Sequence, residues 1–215
     1  MTETKRRQRG NARADRRAKR ERSTRASVPF ITRRVPTFEL ASEEVLALIE
    51  NNADTVLETI GIDFRDDPLA LDLLKQAGAS VEGERVRFPK GMCREIISSS
   101  APAEFTQHAR NPDRSVRIGG NHTVLVPAYG SPFVHDLDKG RRYATLNDFE
   151  NFTRLAYMSP SLHHSGGTLC EPVDLPVNKR HLDMIYSHLR WSDKPFMGSV
   201  THPDRAQDTV DMAKI

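Results

Sequence analysis

Apolar residues recur at helical spacing from Ser42 onward, with Val45, Ile49, Val56 and Ile60 on one stripe of EEVLALIENNADTVLETIG. Glu43 and Glu44 fall in the first turn, where carboxylates suit the helix dipole, and Gly61 supplies a stop. Asp67 and Pro68 open a second helix as cap and first helical residue. Its apolar face is Leu69, Leu73, Leu74 and Ala77, and Gly78 ends it. SVEGERVRF predicts a short hairpin turning at Gly83-Glu84, and Pro89 to Ser99 another short helix.

Over residues 104–143 the period shortens. EFTQHAR, SVRIGG, HTVLVPAYG and PFVHDLDKGRRYA read as short strands, separated by Asn-Pro, Gly-Gly, Gly-Ser-Pro and Asp-Lys-Gly turns. A small antiparallel sheet or meander is expected. Thr145 and Asp148 make a capping-box-like start to a helix over 146–158, faced by Leu146, Phe149, Phe152, Leu155 and Ala156.

After Pro160 the pattern changes again. LHHSGGTLC reads as a buried strand, followed by the loop EPVDLPVN and the helix KRHLDMIYSHLRWS. KPFMGSV, Lys194 to Val200, reads as a second apolar strand, and a helix opening at Pro203-Asp204 follows it. The two strands lie about thirty residues apart, the length of a βα unit in a parallel sheet or (β/α)8 barrel. Two units do not separate those architectures. The last helix meets no stop signal, so the chain reads as the first part of a longer repeating β/α enzyme.

The expected organisation is a disordered basic arm (1–34), a helical region (35–103), a small β meander plus helix (104–160), and an incomplete β/α region (161–215). Charge sets the arm apart. Residues 1–34 hold thirteen Lys and Arg against three acids, whereas the whole chain has a net charge of only +3. With almost nothing to bury, that stretch is expected to be unstructured. A nucleic-acid-binding module is one reading of it, but no aromatic residue is interleaved among the basic residues from Lys5 to Arg25 for base stacking, so a solvated arm is preferred. Cys93 and Cys170 show no framework spacing and read as reduced thiols. No apolar run approaches membrane-spanning length and no secretory signal pattern is found, so the cytoplasm is the expected compartment.

Candidate chemistry is sparse. His163 and His164 are adjacent on an expected strand, hence on opposite faces, and cannot share one metal; one of the two facing a barrel interior as a substrate or proton contact is more plausible than a zinc site. SGGT at 165–168 lacks the glycine fingerprint and lysine of a phosphate loop. If the last units belong to a parallel barrel, strand ends and following loops select Ser165, Thr168 and Glu171, then Ser199 and Thr201. Glu171 could balance a cationic substrate, or simply pair with Lys179 or Arg180. Tyr129 and Phe133 could add an aromatic wall for an ammonium group, or be ordinary core.

The stretches GIDFRDDPLALDLLKQAGASVEGERVRFPKGM, NPDRSVRIGG, HDLDKGRRYATLNDFENFTRLAYMSP and CEPVDLPVNKRHLDMIYSHLRWSDKPFMGSV, in that order and spacing, resemble the trimethylamine methyltransferase family. The similarity runs from about Ser42 to the last residue, and the Arg-rich leader also looks like those of many members. The resemblance implies an α/β fold of definite kind: an N-terminal helical and antiparallel region, then the first two units of a TIM barrel much longer than this chain. It further implies transfer of a methyl group from a methylated amine to the Co(I) of a corrinoid (cobalamin) carried by a cognate partner protein, in one-carbon metabolism of the methanogenesis type. Archaeal members use pyrrolysine. Many bacterial members lack it and take quaternary amines such as glycine betaine, and this chain resembles those.

On that reading no metal or cofactor is held by the chain itself, and the catalytic residues are expected beyond Ile215. His164, Thr168, Glu171, Thr201 and Tyr129 are the substrate-binding candidates, and the chain alone is expected to be inactive. An inactive half-barrel remnant is the competing reading, and a homo-oligomer stays open.

Overall fold

The computed structural model describes residues 28–198 and 200–215, so the basic stretch over residues 1–27 and Ser199 lie outside the described residues. In chain order the first elements are β1 (Ile31–Thr32), α1 (Glu43–Thr59), β2 (Ile62–Asp63), α2 (Pro68–Gln76), β3 (Ser80–Glu82), β4 (Arg85–Arg87) and α3 (Met92–Ser100). They are followed by β5 (Glu104–Gln107), β6 (Val116–Gly119), β7 (His122–Thr123), β8 (Phe133–Asp136), β9 (Gly140–Tyr143), α4 (Leu146–Met158), α5 (Arg180–Trp191) and α6 (Pro203–Lys214). The class is mixed α/β, with small antiparallel sheets among the described residues. The elements fall into two compact units, Val35–Ala103 and one built mainly from Glu104–Ile215.

Local capping explains the first unit. Ser42 Oγ accepts from the Val45 N–H at the start of α1, and Asp67 Oδ1 accepts from the Ala70 N–H at 3.0 Å at the start of α2. Gly61 ends α1 at φ +73, and a Cβ there would lie 2.2 Å from the Val86 carbonyl oxygen. Only glycine fits that close approach. β2, β4 and β3 form an antiparallel sheet in which Val86 faces both Ile62 and Val81. Val86, Phe88 and Ala79 are its buried centre, flanked by Leu57, Phe64 and Leu74. The expected core stripe of α1 is not covered: Val45, Ile49, Val56 and Ile60 are each about half exposed. Their spacing is helical, but no described element packs over all four.

In the second unit β1, β7, β6 and β5 form an antiparallel sheet in that order, so the chain just before Val35 contributes its edge. β8 and β9 make a separate hairpin. The capping box at α4 forms as its sequence suggests: Thr145 N–H donates to Asp148 Oδ2 at 2.9 Å, and Asp148 N–H returns to Thr145 Oγ1. Arg142 clamps the same carboxylate with two bonds of 2.6 and 2.8 Å, which hold Asp148 far below the usual carboxylate range. Phe149, Cys170, Ala144, Val134, Leu169 and Met184 are the core between hairpin, α4 and α5.

The two expected parallel strands are absent as strands. Residues 162–170 and the described part of 194–200 are irregular chain without a ladder, bent at His164, Gly167, Leu169 and Cys170. Ser165 N–H donates to Pro195 O at 2.8 Å and Met197 N–H to Gly166 O at 2.9 Å, in the same chain sense. Regular pairing stops there because Gly166 turns to φ +91 and Pro195 has no N–H to give. HTVLVPAYG likewise pairs only at His122–Thr123, before Pro127 and Gly130 break it. On its other side the 161–171 segment meets residues 125–131: His163 N–H bonds Leu125 O, Gly130 N–H bonds Thr168 O, and Glu171 N–H bonds Ser131 O. Three extended segments thus lie side by side, all in one direction.

Candidate functional site

The segment from His163 to Glu171 is the centre of this arrangement, and buried side chains fix it. His163 Nδ1 accepts from the Leu125 N–H at 2.9 Å, so this ring is tied to the backbone of the neighbouring segment. His164 takes different partners. Its Nδ1 accepts from the Gly166 N–H at 2.9 Å, which leaves Nε2–H to donate to Gln107 Oε1 at 3.1 Å. Ser165 donates its hydroxyl to His188 Nδ1 at 2.8 Å, and His188 Nε2–H donates to the Gly167 carbonyl at 2.9 Å.

The Ser165–His188 pair resembles a nucleophile and base only in composition. The imidazole proton is committed to a backbone carbonyl, both groups are buried, and no carboxylate among the described residues orients the ring. The pair acts as a lock on the Gly166-Gly167 turn. His188 stacks on Phe196 at 5.3 Å and meets the edge of Phe149 at the same distance. Burial pushes both His164 and His188 down to about 4, and their mutual repulsion adds to the shift of His164. Both rings are therefore neutral at pH 7. Burial, then the Lys194 charge, lowers His163 in the same direction.

Lys194 is itself buried, with Nζ donating to the carbonyls of Ala156, Ser159 and Leu162 at 2.8, 2.9 and 2.7 Å. It caps the C-terminus of α4 with a positive charge. Burial lowers it to about 8, still protonated at neutral pH. Cys170 lies in the core, its thiol pushed up to about 12 by burial.

Three of the candidate contacts come together. Tyr129, Thr168 and Glu171 sit where the 125–131 and 163–171 segments end side by side, joined by the Gly130–Thr168 and Glu171–Ser131 backbone bonds. The Tyr129 ring is 55% exposed. Glu171 pairs with Arg180 at 3.6 Å, so its charge already has a partner. Phe133 lies under the Arg141 guanidinium, 3.9 Å from the ring centroid, and against Tyr143. His164 is buried, and its ring nitrogens meet Gln107 and the Gly166 N–H, not these three residues. Thr201 is elsewhere, exposed before α6 and accepting from Arg205. Ser199 lies outside the described residues. An apolar hollow of about 270 Å³ adjoins the segment, lined by Pro127, Ala128, Phe152, Leu155, Leu162 and Leu169 among others.

His188, Gln107 and Lys194 were not legible as site-building residues in the residue pattern. The available signal was polar residues in an apolar helical stripe: His181 and His188 flank Met184 and Ile185 on the buried face of α5.

These features define a mixed α/β chain in which an antiparallel region leads into co-directed extended segments held by neutral histidines. A family model described as Trimethylamine methyltransferase (MTTB) matches residues 6–215, and the chain belongs to that family. It is 46% identical over 184 residues to the glycine betaine methyltransferase of Desulfitobacterium hafniense (strain Y51), covering 84% of this chain and 37% of that protein. It is 26% identical over 195 residues to the proline betaine:corrinoid methyltransferase of Eubacterium limosum, covering 86% of this chain and 39% of that protein. The chain thus spans little more than a third of the length of these relatives. No helix among the described residues is long and apolar enough to cross a membrane.

Proposed function

We propose that this chain contributes to a methyltransferase that moves a methyl group from a betaine-type quaternary amine to a corrinoid carried by a partner protein. The observation carrying this reading is the 46% identity to a glycine betaine methyltransferase. The second relative's name adds the corrinoid as methyl acceptor.

The chemistry asks little acid–base work of the protein. The methyl carbon accepts the electron pair of Co(I) as its C–N bond breaks, and that bonding pair leaves with nitrogen. A quaternary ammonium departs as a neutral tertiary amine, so no proton need be supplied. What remains is to hold the cation in line, exclude water and leave one side open to the acceptor. The neutral state of His164 and His188 suits such a site, because no imidazolium repels the ammonium. We assign Tyr129, with its exposed ring, and Thr168 beside it as substrate contacts, and Glu171 as a carboxylate that the Arg180 pair holds in place. His164 positions the turn beneath them. Thr201, which stands apart before α6 and accepts from Arg205, is left out of this assignment. The co-directed segments 125–131, 163–171 and 195–197 support a reading of this region as the opening of a parallel barrel, with the Tyr129–Thr168–Glu171 group at its C-terminal face.

The test is a methyl-transfer assay with cob(I)alamin, glycine betaine and the polypeptide of the relatives' length that carries this sequence. Loss of the Co(I) absorbance with equimolar dimethylglycine is expected, and this chain alone should show neither. If no betaine or methylamine supports the longer polypeptide, the reading fails.

A further inference from the structure

A second hollow, of about 420 Å³, opens where α4 and α5 end, lined by Arg110, Arg154, Tyr157, Met158, Arg190 and Trp191 among others. Arg154 lies 3.7 Å from the Trp191 ring centroid and Arg190 lies 4.6 Å from it. These cations are not equally engaged. Arg154 pairs with Glu150 at 3.0 Å, and the neighbouring Arg114 with Asp193 at 2.8 Å. Arg110 donates to the carbonyls of Leu189 and Ser192, capping α5 without meeting a carboxylate. Arg190 is exposed, with no carboxylate partner among the described residues. Three guanidiniums, Arg110, Arg154 and Arg190, therefore line the hollow with one carboxylate, Asp193, which Arg114 already pairs. Lys194 and Arg110 offset the negative ends of α4 and α5, so the carbonyls that meet here do not cancel the charge of Arg190. The indole N–H of Trp191 is buried without an acceptor among the described residues, and Met158 beside it is 74% exposed.

We propose that this hollow docks an acidic segment of a partner protein, its carboxylates on Arg190 and Arg110 and an apolar side chain against Trp191 and Met158. Charge complementarity selects the acidic partner. The exposed apolar rim beside separated guanidiniums selects a peptide over a lone inorganic ion. Arg, Trp and Tyr are also the residues that dominate protein–protein hot spots. The inference does not depend on the methyl-transfer reading.

Trp191 is the single tryptophan of the chain, so its fluorescence reports this hollow directly. The full chain is titrated with a heptapeptide of six glutamates around a central leucine, with its glutamine counterpart, with inorganic phosphate and with an oligothymidylate. A saturable change is expected with the glutamate peptide alone, weakened about five- to tenfold in Arg190→Gln, which keeps the basic stretch over residues 1–34 intact. The proposal is overturned by no saturable change, by phosphate or oligothymidylate binding as tightly as the peptide, or by wild-type affinity in R190Q.

Discussion

Lowering the pH from 7 to 5 should strip stability from the unit built on Glu104–Ile215, because His164 and His188 are held neutral there. Each ring is pushed down to about 4, against an unfolded value near 6.5. The native state therefore binds fewer protons than the unfolded chain between these values. Stability is complete above pH 6.5, falls as pH drops, and levels off once the native rings themselves protonate near 4. At pH 5 each histidine costs about 2 kcal/mol relative to pH 7, so the pair costs about 4 kcal/mol. That is a large part of the 5–15 kcal/mol typical of a domain. His163, lowered by burial, adds in the same direction. Urea unfolding followed through Trp191 at several pH values measures the slope, expected at about two protons per molecule near pH 5. His164→Gln should remove about one of them. A stability that is flat or rises from pH 7 to 5, or an unchanged slope in H164Q, refutes the neutral-histidine account.

Further outcomes follow from single buried groups. Lys194→Met strips three carbonyls of their donor and should cost about 3–5 kcal/mol in urea unfolding; a loss below about 1 kcal/mol would show that α4 does not need this cap. Gly61→Ala should cost more than about 2 kcal/mol and raise hydrogen exchange in residues 80–88, since the new methyl meets the Val86 carbonyl. Unchanged exchange there would contradict the close approach. Of the two thiols, the partly exposed Cys93 should react with a disulfide reagent in the native chain and Cys170 only after unfolding. Rapid release of two equivalents from the native protein would count against the buried core around Cys170.

What the sequence made legible was local. Asp67-Pro68, Thr145 with Asp148, and Pro203-Asp204 mark helix starts within a few residues of where they stand, because a cap is made by side chains next to the backbone it satisfies. The strands expected at 162–170 and 194–200 depended on a neighbour's register, which Gly166 and Pro195 interrupt. The stripe of α1 showed the right period but not its exposure, since periodicity identifies an apolar face without naming what covers it. Glu171 was open between a substrate contact and a partner for Arg180. The ion pair is present, and it does not by itself decide the substrate role. The pairing of Ser165 with His188, twenty-three residues apart, lies in no local pattern at all.

The measurement that bears most directly on the whole account is methyl transfer itself. A polypeptide of the relatives' length carrying this sequence, supplied with cob(I)alamin and glycine betaine, should convert Co(I) to methylcobalamin with one dimethylglycine per cobalt. Tyr129→Ala should slow that conversion without unfolding the chain. Co(I) that stays unmethylated with every betaine and methylamine offered would contradict the central claim.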